Sequence, residues 1–187
     1  MKKIIFLFIA VFSLHSISAQ TEIGGATLPN TLNFGSEKLV LNGAGVREKF
    51  WMDMYAGGLY LKTKSGNASE IMNKNEAMAL KLHIVSKMIT SERMIDAVNE
   101  GFENATGGNT APLSDEIKKF ISFFEEEINK GDIFDLVYLP ERGMVIYKNG
   151  NESGTIQGLA FKKALFGIWL SNKPADKDLK KGMLGNG

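Results

Sequence analysis

Residues 43–61 read GAGVREKFWMDMYAGGLYL, a glycine-punctuated turn running into a long segment rich in large apolar residues. From Val46 onward the even positions include Phe50, Met52, Met54, Ala56, Gly58 and Tyr60. The odd positions mix Arg47, Lys49 and Asp53 with Trp51, Tyr55, Leu59 and Leu61. That period of two predicts one long strand over about residues 46–62, with one apolar and one mixed face. Gly57 and Gly58 weaken a strand and mark either a bulge or a place where another group approaches the backbone closely. Arg47, alone among bulky apolar side chains, makes this segment a candidate ligand site.

Working outward, residues 21–42 carry Gly24, Gly25, Pro29 and Gly35 between short apolar runs, which predicts one or two short strands before Lys38–Leu41. Ile71 and Met72 belong to a short helical or irregular piece, and Ala77 to Ser86 alternates as a second long strand. Thr90 or Ser91 caps a helix ending at Gly107-Gly108, with apolar residues at Met94, Ile95, Val98, Phe102 and Ala105. A second helix is expected over 114–130, opened by Ser114, Asp115 and Glu116 and striped by Ile117, Phe120, Ile121, Phe124 and Ile128. Strands return at Ile133–Leu139, Met144–Lys148 and Gly154–Gly158. The Asn149-Gly150 turn between the last two is the strongest short hairpin signal in the chain. Leu159–Leu170 forms an apolar helix, and Pro174 opens a last one near 174–184.

Strands, then two helices, then a meander of strands, then terminal helices make an α+β pattern rather than alternating βα units. The architecture expected is one curved antiparallel sheet with helices packed on one face.

The first nineteen residues have the plan of a secretory signal: Lys2 and Lys3, an apolar core from Ile4 to Leu14, and a small-residue boundary at Ile17-Ser18-Ala19. The apolar run falls short of the roughly 20 residues needed to span a bilayer. Export to the periplasm or the medium is therefore expected, with residues 20–187 as one domain and no membrane span after cleavage. Taking Lys2 and Lys3 from the 22 basic residues leaves 20 against 21 acidic ones, a balance that favours neither nucleic acid nor an anionic surface as partner. The chain has no cysteine, which excludes disulfides, thiolate catalysis, cysteine zinc sites and a lipidated cysteine.

Few side chains suggest chemistry. The guanidinium of Arg47 is permanently charged and suits an oxyanion or carboxylate with an apolar body; the alternative is a strand-edge arginine paired with Glu48, Asp53 or solvent. Tyr55 reads either as a site hydroxyl or as a half-buried aromatic whose hydroxyl reaches the surface. His83, the only histidine after residue 19, has no cysteine or nucleophilic serine motif to serve and is expected to be structural. Asp115, Glu116 and Glu125–Glu127 form a solvated helix face. The methionines at 52, 54, 88 and 94 line a site or fill the core, and Trp51, Phe120, Phe124, Phe166 and Trp169 are expected in the core. No phosphate-binding glycine loop or metal-ligand spacing is present, so no nucleotide cofactor and no metal is expected.

Two distant segments carry a resemblance. Gly-Ala-Gly-Val-Arg47, Lys49-Phe50 and the run ending Gly58-Leu-Tyr-Leu61, together with Gly158–Pro174 and Leu179-Lys-Lys-Gly-Met-Leu-Gly185, are similar to the opening and closing signatures of the chalcone isomerase-like family, bacterial members included. The resemblance implies an open-faced β-sandwich, a large antiparallel sheet covered by helices, with the ligand cleft between the two layers. It puts Arg47 on the arginine that family enzymes use to hold the substrate oxyanion and that fatty-acid-binding relatives use to hold a carboxylate. It matches the other polar positions of the isomerases poorly: Tyr55 stands for a threonine, Met94 for a tyrosine, Gly101 or nearby Asn99 for an asparagine, and Ile168 for a threonine or serine. The ligand-binding set is then Arg47, Tyr55 and Met94, with Arg47 the catalytic group if the protein is an enzyme. Three functions follow as alternatives: a noncatalytic binder of a small amphipathic anion such as a fatty acid, an isomerase or intramolecular lyase of the chalcone isomerase type, and a scaffold whose cleft has closed.

Overall fold

The computed structural model describes residues 20–186. In chain order the elements are β1 (Gln20–Ile23), β2 (Ala26–Pro29), β3 (Thr31–Phe34), β4 (Glu37–Lys49), β5 (Met52–Leu61), α1 (Ala68–Asn73), β6 (Met78–Ile84), α2 (Ser91–Thr106), α3 (Ser114–Ser122), β7 (Ile133–Leu139), β8 (Gly143–Lys148), β9 (Asn151–Ile156), α4 (Leu159–Leu170) and α5 (Lys177–Met183). β3 to β9 form one seven-stranded antiparallel sheet in sequence order, and β1 pairs with β2 as a separate hairpin. The α+β class is as the order of strands and helices predicts, and the open-faced sandwich is as the resemblance implies.

Helices cover one face of the sheet and its own curl encloses a smaller cluster on the other, and alternation sorts the side chains between them. Leu59, Leu80, Leu82, Phe134, Leu136, Met144 and Ile146 join the helices in the main core. Leu39, Leu41, Tyr60, Ala79 and Val137 face the other way into a smaller cluster. There the Tyr60 hydroxyl donates to the Pro29 carbonyl at 2.8 Å. Phe34 of β3 and Tyr147 of β8, with four strands between them in the sheet, bring their rings to 5.6 Å, so the sheet curls around that smaller cluster. On the opposite face Phe120 of α3 meets Phe102, Phe124 and Phe161 at 5.9, 5.1 and 5.8 Å with steeply inclined rings, the favoured aromatic geometry.

The expected long strand at 46–62 is a hairpin. β4 and β5 are joined by a two-residue loop, Phe50-Trp51, between the paired Lys49 and Met52. Both loop residues are left-handed, with φ of 54° and 59°. Trp51 is correspondingly solvent-exposed and not part of the core. Three other boundaries differ. α3 stops at Ser122, where the amides of Phe123 and Phe124 turn back to carbonyls three residues earlier. The acidic run Glu125–Glu127 that follows is unfavourable at the negative end of a helix. β9 begins immediately after Asn149-Gly150, ahead of the expected Gly154. α5 begins at Lys177 because Asp176 caps it, its carboxylate accepting from the amides of Asp178 and Leu179, both at 2.8 Å.

The two signature segments touch. α5 lies directly on the β4–β5 ladder, where Gly45 pairs with Gly57. A Cβ on Gly43 would sit 2.1 Å from the Gly182 carbonyl oxygen, and one on Gly57 2.7 Å from the Met183 methyl. Of the two readings its sequence context allows, a bulge or a close approach, Gly57 marks a close approach, and the approaching group is the C-terminal helix.

Candidate functional site

Arg47 lies near the end of β4, directly across from Tyr55 of β5, and the β4–β5 register shifts between Arg47 and Glu48. A bulge of this kind re-aims the neighbouring side chain. The half-buried guanidinium stands 5.8 Å from the centre of the Tyr55 ring. Tyr55 is itself buried, and its hydroxyl accepts a hydrogen bond from the Trp169 indole N–H of α4 at 2.8 Å. Burial pushes the Tyr55 phenol above its ordinary value, with the Arg47 charge opposing that shift. A chain of contacts from α4 through Tyr55 therefore positions Arg47.

In front of Arg47 a cleft of ≈ 250 Å³ opens between the hairpin and α2. Its apolar lining comes from Met54, Met88, Ile89 and Met94, and its cations are Arg47, Lys49 and Arg93. Asp96 and Glu100 of α2 line it as well. Arg93 anchors the loop after β6, donating from Nη1 to the Met88 carbonyl at 3.0 Å. Among the described residues, no carboxylate forms an ion pair with Arg47, Lys49 or Arg93. An amphipathic anion fits this chemistry, its charged head among the cations and its body against the methionines.

Of the three ligand-binding residues expected from sequence, Arg47 and Met94 line the cleft. Tyr55 does not: it lies one layer behind Arg47, because its ring faces the core and its hydroxyl meets Trp169. The two positions matched to isomerase polar groups in α2 and α4 are packed on each other, since a Cβ on Gly101 would lie 2.8 Å from the Ile168 side chain. Asn99 faces a different depression, beside Phe102 and Ser114. Sequence reasoning missed Arg93. The available signal was its helical spacing to Asp96 and Glu100, which makes one flank of α2 polar toward the cleft.

His83 sits on β6 away from this site. Its Nδ1 is buried without a partner, and burial, helped by the nearby Lys81 charge, lowers its pKa below the ordinary value. No group of three or more His, Asp, Glu or Cys side chains that could hold a metal occurs among the described residues. None of the described helices is long and apolar enough to cross a membrane.

Residues 20–185 match the family described as chalcone isomerase-like. Among curated proteins, none matches in sequence. The fold is similar to the crystal structure of a fatty-acid binding protein of Arabidopsis thaliana, with a TM-score of 0.67 and 19% identity over 87% of this chain and 93% of that one. The sheet with its one-sided helical layer, the Gly43 and Gly182 segments packed together, and the match over nearly the whole described chain lead to one conclusion: this protein belongs to the chalcone isomerase-like family.

Proposed function

We propose that the protein is a noncatalytic carrier whose cleft holds a small amphipathic anion such as a short fatty acid, and that it works after export, with residues 1–19 removed. The observation that carries the binding reading is Arg47: half-buried, positioned through Tyr55, unpaired among the described residues, and facing an apolar cleft. A charge-assisted hydrogen bond contributes on the order of 1.5–3 kcal/mol when its partner arrives, and a guanidinium in such a place is a preorganised pair of donors for a carboxylate. The volume lies just below the range of about 300–1,000 Å³ typical of ligand pockets, which suits a short chain.

Cyclisation of a chalcone needs a second group, a donor at the ketone oxygen where charge develops in the transition state. Tyr55 is buried behind Arg47 with its hydroxyl turned to Trp169, and Gly101 and Ile168 offer no polar atom from their side chains. That distribution supports binding over turnover.

Native mass spectrometry of protein isolated from its own cells tests both parts of the proposal. The expected species is a chain beginning at Gln20 with a copurifying acid of lipid character. A chain retaining Met1 would refute export. An absorbance assay with a hydroxychalcone is expected to show only the spontaneous rate; faster cyclisation that disappears in Arg47→Ala would replace the carrier by an isomerase.

A further inference from the structure

The tip of the β4–β5 hairpin has features that ligand binding in the cleft does not explain. Phe50, Trp51 and Met52 are 67, 96 and 40% exposed, and they are the only large hydrophobic side chains exposed among the described residues. The first two also occupy the left-handed backbone region. A two-residue hairpin loop of type I′ requires positive φ at both positions, which Asn-Gly adopts with little strain. The same chain uses that solution at Asn149-Gly150, with φ of 53° and 80°. A bulky aromatic residue there is an outlier, and strain of this kind persists where a surface or site depends on it. Apolar exposure and backbone strain coincide at the same two residues.

The geometry points to a wedge that inserts into the headgroup region of a lipid bilayer and holds the cleft mouth at the membrane surface. The three side chains together offer about 450 Å² at most, roughly half of the about 800 Å² that each partner contributes to a specific protein interface. A narrow tip of that size is too small to hold a second protein by itself but has the right form for insertion, and tryptophan is favoured at headgroup level. Lys49 lies just behind it, its Nζ 5.6 Å from the Phe50 ring centre, at the height where lipid phosphates begin. Glu48 and Asp53, paired across the hairpin, offset that charge, so apolar insertion rather than anionic lipid dominates the attachment. Lys49 and Phe50 also line the cleft, which puts its mouth within reach of an amphiphile leaving the bilayer. The inference stands on the tip alone and does not require the cleft to bind an acid.

Sedimentation with phosphatidylcholine vesicles, with and without phosphatidylglycerol, tests it on residues 20–187, which contain the whole described fold without the apolar segment at 4–14. The protein should bind both vesicles, with a blue shift in emission from Trp51; the other tryptophan, Trp169, is already buried. Replacing the tip by Phe50→Asn/Trp51→Gly should weaken partitioning at least about tenfold while leaving the thermal midpoint equal or higher. Trp51→Asn, a single change that also tolerates the left-handed region, should give a smaller loss of the same sign, since Phe50 and Met52 remain exposed. Neither variant's Trp51 position lines the cleft, so octanoate affinity of Trp51→Asn in solution should equal that of the wild type, which separates this test from that of the carrier. Absence of binding to either vesicle, undiminished binding by the two variants, or a dimer that depends on Trp51 would overturn the inference.

Discussion

Two cations in this molecule are held in opposite ways. Lys162 of α4 is completely buried, and its Nζ donates to the carbonyls of Ile71, Met72 and Lys74 at 2.7, 3.0 and 2.9 Å, closing the end of α1. The rings of Phe166 and Tyr138 lie 5.1 and 5.5 Å from it. Every proton of that ammonium has an acceptor. Arg47 has an aromatic ring behind it, an open cleft in front, and no carboxylate partner among the described residues. The difference teaches that a cation whose donors are all accepted serves the fold, whereas a half-buried one with free donors is available to a ligand.

The largest effect expected from that contrast is on stability. Lys162→Met keeps an unbranched side chain only one atom shorter but leaves three buried carbonyls without a donor, and should cost about 2–4 kcal/mol of unfolding free energy. Denaturant unfolding measures it, and a neutral outcome would break the contrast. Burial, with a smaller contribution from Lys163, lowers the Lys162 pKa to about 8 from its ordinary 10.5. Below pH 8 both folded and unfolded states carry the proton, so the folded state bears the full burial penalty. Between pH 8 and 10.5 the folded state releases the proton first, so this group's contribution to stability rises with pH in that window. The wild type should therefore show a stability increment from about pH 8 to 10 that Lys162→Met lacks.

Arg93→Ala sharpens the comparison from the other side. Arg93 lines the cleft but is exposed, so its contact with a bound acid is screened by water. Its loss should weaken acid binding only a few-fold, about 0.5–1 kcal/mol, in a fluorescent fatty-acid displacement assay, with unfolding nearly unchanged. A loss as large as that of a buried contact would mean that the carboxylate sits at α2 rather than at Arg47.

The contrast also marks what could be read from sequence. The lone arginine in an apolar strand left Arg47 open between a site and a strand-edge ion pair, and only the family resemblance singled it out; Asn149-Gly150 was legible because its residues suit the backbone they adopt. The Phe50-Trp51 loop was not: cross-strand partners such as Arg47 and Tyr55 have the same parity, so alternation continues through the fold-back as if the strand were straight. Trp51 was misplaced for the same reason, since a bulky apolar residue in an apparent strand reads as core. Lys162 gave no signal, because its acceptors come from α1, distant in sequence. Gly57 announced a bulge or a close approach but not the partner, which enters from the far end of the chain.

Calorimetric titration with octanoate and octanol, on the wild type and Arg47→Ala, tests the carrier reading most directly. The account predicts that the wild type binds octanoate about ten- to a hundredfold more tightly than Arg47→Ala does. Octanol should bind both proteins weakly and alike, and the two unfolding curves should superimpose. Equal octanoate affinity in the two proteins, or octanol binding as tightly as octanoate, would contradict it.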